Sequence, residues 1–144
     1  GYDERQFCSP GFNLPVGNLR RAPSGRFPEY HTSADNLQCV KPDSLADSYV
    51  KCLDIFSVRE GNRKYLNLNP KCEPQLGKRG LYRMTSDLNG AGKVKELPLL
   101  WVLNQSDGMN SLLDIAERAG LAFAEIRHAA DSLAACGLLK ELVA

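Results

Sequence analysis

The sequence has no strong excess of charge, no membrane-length apolar run and no paired cysteine spacing. Net charge is +1, from 18 Lys/Arg against 17 Asp/Glu in 144 residues, so bulk charge selects neither nucleic acid nor an acidic surface as partner. No apolar run approaches the ~20 residues a membrane helix needs, and no signal peptide is visible, so no membrane partner is expected. The five cysteines (Cys8, Cys39, Cys52, Cys72, Cys136) are odd in number and never spaced Cys-x-x-Cys. That argues against a disulfide framework or a thiolate zinc site and favours a reduced, cytoplasmic compartment, with the cysteines as small core residues. Histidine is scarce: only His31 and His128 are present. The chain opens Gly1-Tyr2-Asp3 without an initiator methionine, which fits a piece of a longer polypeptide.

What is present is ordinary globular material, 43% hydrophobic and 24% charged, enough for one ordinary core or a small module with an irregular partner. Charge is unevenly spread. Residues 1–96 hold 15 Lys/Arg against 11 Asp/Glu, and residues 97–144 hold 3 against 6. Residues 1–35 are rich in Gly, Pro, Asn and Arg, with turn material at Ser9-Pro10-Gly11. Alternating Phe12, Leu14, Val16 and Leu19 suggest one short strand. Pro42, Asp43 and Ser44 carry helix-start signals. Leu45, Tyr49, Cys52, Leu53 and Phe56 then form one apolar stripe over 42–59, stopped by Gly61-Asn62. Arg63 to Asn69 reads as a strand ended by Pro70. Glu73 to Tyr82 reads as a turn-rich basic loop leading into a short strand, and Asp87 to Lys95 as a flexible linker. Arg20-Arg21 and Lys78-Arg79 are short basic pairs, expected as solvated surface.

The last fifty residues are the most regular. Leu97 to Gln105 predicts a short apolar helix around Trp101, and Asp107-Gly108 a turn. Asn110 or Ser111 can cap a second helix whose Leu112, Leu113, Ile115 and Ala116 face inward, ended by Gly120. Phe123, Ile126, Ala130 and Leu133 fall at helical spacing in a third helix, ended by Gly137, and Leu138 to Leu142 can start a strand. His128 is expected on that third helix's surface. Helix, helix, short turn, helix, strand is helix-turn-helix order, and this stretch resembles a winged-helix domain.

Two motifs carry a second resemblance. Asp3, Phe7 and Gly11 reproduce a spacing of Asp, an aromatic four residues on and Gly eight residues on. Tyr30-His31-Thr32-x-x-Asp35 follows, placed before a helix. In that order they resemble the co-catalytic two-zinc aminopeptidases, and the whole chain, including Glu73 to Tyr82, resembles a bacterial subfamily that appends a winged helix at the C-terminus. The resemblance implies an α/β (α+β) fragment of the catalytic domain at residues 1–60, a β-rich connecting segment and linker at 61–95, and a mainly α winged helix-turn-helix domain at 96–144. It implies that His31 is a zinc ligand, that Tyr30 can stabilise a tetrahedral oxyanion, that Asp3 lies in the acid network and that Asp35 holds the histidine loop. Glu4 stands where many relatives have His. The bridging Asp, the Glu base and the other ligands would lie upstream, in a missing N-terminal catalytic region that becomes the expected partner. A hydrolytic zinc site needs about three protein ligands and an open position, so the 144 residues alone are expected to be inactive.

The alternative is a winged-helix module for protein interaction or DNA binding, without catalysis. A DNA reader needs Lys and Arg for phosphates. The third helix offers Arg127 and His128 against Glu125 and Asp131, which argues against nucleic acid and for packing, protein contact or homo-oligomer formation.

Overall fold

The computed structural model describes residues 2–23, 25–82 and 95–142. It divides into two compact units, Gly1–Leu53 and Asp54–Ala144. Within the described residues the elements are α1 (Asp3–Phe7), α2 (Pro42–Gly61), β1 (Lys64–Asn67), α3 (Glu96–Gln105), β2 (Asp107–Ser111), α4 (Leu112–Ala119), α5 (Phe123–Ala135) and β3 (Leu139–Leu142). α2 starts in the first unit and ends in the second.

In the first unit no described residue is buried. Its order comes from local hydrogen bonds. Thr32 Oγ1 donates to the Glu29 carbonyl at 2.8 Å and accepts from the Ala34 N–H at 3.2 Å, and Asn36 Oδ1 accepts from the Gln38 N–H at 2.8 Å. These are the turns that Thr and Asn side chains favour. The strand expected over Phe12 to Leu19 does not form. Asn13 is left-handed at φ 50°, Val16 N–H closes a tight turn onto the Leu14 carbonyl at 2.9 Å, and Pro15 has no N–H to give a ladder.

The stripe on α2 is also corrected. The helix forms as its start signals predict, but Leu45, Tyr49, Leu53 and Phe56 are 47–65% exposed instead of packed. Among the described residues of the first unit none buries Leu45, Tyr49 or Leu53. The cysteines also depart from expectation: none is buried and Cys8 and Cys72 are exposed, although Cys136 packs partly buried against the core of the second unit.

The second unit has its own core and is α+β. β1 is the central strand of a three-stranded antiparallel sheet in the order β2-β1-β3. Its register to β3 runs Lys64↔Leu142, Tyr65↔Glu141, Leu66↔Lys140, Asn67↔Leu139. Against β2 it is interrupted by a bulge between Lys64 and Leu66. The three helices and the sheet close on Leu99, Val102, Leu112, Ile115, Ile126, Ala130, Leu133 and Leu138, each no more than 2% exposed. Leu112, Ile115, Ile126, Ala130 and Leu133 are positions read at helical spacing, while Leu113 and Phe123, read the same way, are half-buried; burial of this cluster is the main favourable term for the unit.

The turn chemistry explains the helix junctions. Ser111 caps α4 in a reciprocal box: Asp114 N–H donates to Ser111 Oγ at 3.3 Å, and Ser111 N–H donates to Asp114 Oδ2 at 2.7 Å. This satisfies two of the free donors at the helix start. Gly120 ends α4 at φ 64°, the left-handed cap glycine adopts readily. Asp107-Gly108, expected as a turn alone, opens β2. Asp107 Oδ1 accepts from the Met109 and Asn110 N–H groups at 2.8 and 3.2 Å, so the turn is the first residue pair of the strand. The short strand expected beyond the Glu73 to Tyr82 loop lies outside the described residues; Leu81 and Tyr82 themselves are half-buried and pack on the core. The linker expected at Asp87 to Lys95 lies outside the described residues except for Lys95, which pairs with Glu125 at 2.6 Å.

Candidate functional site

The histidine loop is held by its own turns. His31 sits at φ 59°, a left-handed conformation that is uncommon for a residue with a Cβ. The imidazole lies against the Tyr30 ring, centroids 4.1 Å apart at 54°, and Tyr30 meets Phe27 edge-on at 5.4 Å. The structure therefore brings Tyr30 and His31 together. Asp35 lines a cavity of about 440 Å³ with Phe27, Glu29 and Cys39. Asp3 lies in the first turn of α1, and Asp3, His31 and Asp35 share no hydrogen bond or ion pair. The loop does not lead directly into a helix: turns fill the chain from Thr32 to Lys41 before α2 begins.

Zinc needs three or more donors converging on one point. Among the described residues no group of three His, Cys, Asp or Glu side chains is placed to hold a metal. The residues present do not make a zinc site by themselves, and no reaction step is assigned to this chain through one.

The basic loop Glu73 to Tyr82 is a clasp on the winged unit. The Glu73 carboxylate accepts from the Gln75 and Leu76 N–H groups at 2.8 and 2.6 Å. Leu76 is fully buried. Arg79 Nε donates to the Pro74 carbonyl and its Nη1 to the Cys136 carbonyl, both at 3.0 Å. Cys136 is the C-cap of α5, where free carbonyls and the negative end of the helix dipole favour a cation. Arg79 was expected on solvated surface; the 57-residue separation from Cys136 hides the contact from sequence reading. Cys72 and Gln75 are left-handed at φ 62° and 58°, strain of about 1–3 kcal/mol each that the anchored Leu76 and Arg79 hold in place.

The helix-turn-helix surface is poor in cations. α5 exposes Arg127 and His128 beside Asp131. Arg127 lies over the end of α2: a methyl group built on Gly61 would fall 2.8 Å from its Nη1. The one arginine of α5 thus lies beside a buried glycine while staying exposed. His128 is on the surface, as expected, and its carbonyl accepts from Ser132 Oγ at 2.9 Å. No helix among the described residues is long and apolar enough to cross a membrane.

A family model described as winged helix-turn-helix matches residues 63–141, the stretch from the end of α2 through β3. The chain belongs to the winged helix-turn-helix family. A second model, described as a domain of unknown function (DUF4910), matches residues 1–62. Beyond the winged helix, the chain is 57% identical over 143 residues to a Clostridium acetobutylicum protein provisionally named a polysaccharide biosynthesis protein with aminopeptidase-like domain. The match covers 97% of this chain and 32% of that protein. A crystal structure at 2.37 Å, of a protein from the same organism provisionally named a peptidase, matches with a TM-score of 0.83 at 54% identity. It covers 97% of this chain and 30% of that one. The winged-helix chain therefore spans about a third of the length of the relatives it matches.

Proposed function

We propose that this winged-helix chain is the C-terminal portion of a zinc-dependent aminopeptidase-like hydrolase and is inactive by itself. The observation that carries the reading is the His31 loop, with its ring tilted against Tyr30, in a chain 57% identical to a relative named for an aminopeptidase-like domain. In this reading His31 supplies one zinc ligand and Tyr30 a hydroxyl for a developing oxyanion. Asp3 and Asp35 are supporting carboxylates, and the remaining ligands and the base come from polypeptide outside these residues. The first unit fits that role. It buries none of its described residues and exposes Phe12, Leu19, Leu45 and Tyr49, an apolar surface of the kind that further polypeptide covers. The test is hydrolysis of an aminoacyl amide by a polypeptide of the relatives' length that contains this chain, compared with His31→Ala. Loss of turnover in the variant is expected; equal turnover would sink the assignment.

The winged helix, in the same reading, serves protein contact or self-association and not DNA. The net charge of residues 97–144, from 3 Lys/Arg and 6 Asp/Glu, favours this. Concentration-dependent mass by light scattering tests it, and a strict monomer that captures no partner in pull-downs would count against it.

A further inference from the structure

The spacing of Tyr30-His31-Thr32-x-x-Asp35 has a physical cause: two turns that share one residue. The Thr32 N–H donates to the Glu29 carbonyl at 3.0 Å, closing a four-residue turn with Tyr30 and His31 at its central positions. The Asp35 N–H donates to the Thr32 carbonyl at 3.1 Å and closes the next turn. Upstream, the Tyr30 N–H donates to the Phe27 carbonyl at 3.3 Å across Pro28, a residue type favoured at the first central position of such a turn. Thr32 is therefore the junction between the histidine and the aspartate.

Its side chain adds a second hold. His31 occupies the third position of the Glu29–Thr32 turn at φ 59°, where glycine or asparagine is usual because a Cβ disfavours the left-handed region. The Thr32 hydroxyl donates to the same Glu29 carbonyl at 2.8 Å and accepts from the Ala34 N–H at 3.2 Å. It thus brackets His31, with one bond before it and one after. Among the described residues no other side chain bonds to the backbone of Glu29 to Thr32. The rings at the centre of the turn lie against each other at 4.1 Å, and Tyr30 meets Phe27 from the preceding turn. We propose that Thr32 is a positioning residue, whose hydroxyl holds the turn that presents Tyr30 and His31 together. The consequence for catalysis rests on the hydrolase reading; the hold on His31 does not.

Thr32→Val keeps the shape of the side chain and removes the hydroxyl, and Thr32→Ser keeps the hydroxyl. In the 144-residue chain, NMR reads the HN–Hα coupling of His31 and the NOE between the Tyr30 and His31 rings. Thr32→Val should move the coupling toward the larger values of extended backbone and weaken the NOE, while Thr32→Ser should preserve both. In a polypeptide of the relatives' length, hydrolysis of an aminoacyl amide by Thr32→Val should show kcat lower by about 10–100-fold, the usual effect of losing a group that orients a ligand. KM should change by less than about twofold, because the lost interaction is made in the transition state, and Thr32→Ser should retain most of kcat. An unchanged coupling and NOE in Thr32→Val would overturn the proposal whatever the longer polypeptide does. A moved coupling with unchanged kcat would overturn its catalytic consequence. A longer polypeptide that hydrolyses nothing, with the coupling moved as expected, would sink the hydrolase reading and support the hold of Thr32 on His31.

Discussion

Replacing Leu76 by alanine tests whether the Glu73 to Tyr82 loop is a structural clasp. Leu76 is fully buried and belongs to the same core cluster as Leu99, Val102 and Ile115. The substitution removes three buried carbons, worth about 2.4 kcal/mol at about 0.8 kcal/mol each. The cavity left behind raises the total to about 2.7–5 kcal/mol, the range for fully buried leucines. The second unit, Asp54–Ala144, is of the size at which 1 kcal/mol moves Tm by about 4–8 °C, so a drop of at least about 10 °C is expected. The first unit buries no described residue, so the cooperative transition followed by circular dichroism should be that of the second. Arg79→Ala should lower Tm by less, because it removes two hydrogen bonds but no core volume. Such bonds from a charged donor are worth about 1.5–3 kcal/mol when sheltered and less at this partly open position. A Leu76→Ala variant that unfolds within about 2 °C of the parent chain, under 1 kcal/mol by the same conversion, would refute the clasp.

Three further outcomes follow from the same geometry. Ser111→Ala removes the α4 cap and should cost about 1 kcal/mol. The Asp114 carboxyl is held below its ordinary range chiefly by the Ser111 hydroxyl and then by the Ser111 N–H, so its contribution is full above about pH 4 and fades as pH falls further. An acid-unfolding profile in which Asp114→Asn leaves that fade unchanged would contradict the cap. Gly108→Ala places a Cβ at φ 87°, 3.1 Å from Leu142 Cδ1, and should destabilise by about 1–3 kcal/mol in urea titration; a neutral substitution would mean β2 opens differently. Gel shifts with duplex DNA should show no complex at physiological salt, about 0.15 M; a salt-resistant, sequence-dependent complex would reverse the protein-contact reading.

Much of the second unit is legible in the sequence because its signals are local. The apolar spacing of Leu112, Ile115 and Ala116, the Ser111 cap and the Gly120 stop all act within one turn of the residues they order. The unit's sheet is less legible. β2 hides in Asp107-Gly108, whose residue types signal a turn, and it becomes a strand because β1 pairs with it across 40 to 46 intervening positions. The clasp is hidden for the same reason, since nothing near Arg79 names Cys136. The first unit fails differently. The α2 stripe and the Phe12 to Leu19 alternation are true amphipathic patterns, but patterns report which face is to be covered and not what covers it. At the histidine loop, the motif names Tyr30 and His31, and the 4.1 Å contact of their rings is seen only in the structure.

The most direct test of the account is zinc content by elemental analysis of a polypeptide of the relatives' length containing this chain, beside its His31→Ala variant. The account predicts about two zinc ions per chain, as a co-catalytic site holds, and a clear loss of metal in the variant. No zinc in the longer polypeptide, or the same content with and without His31, would contradict it.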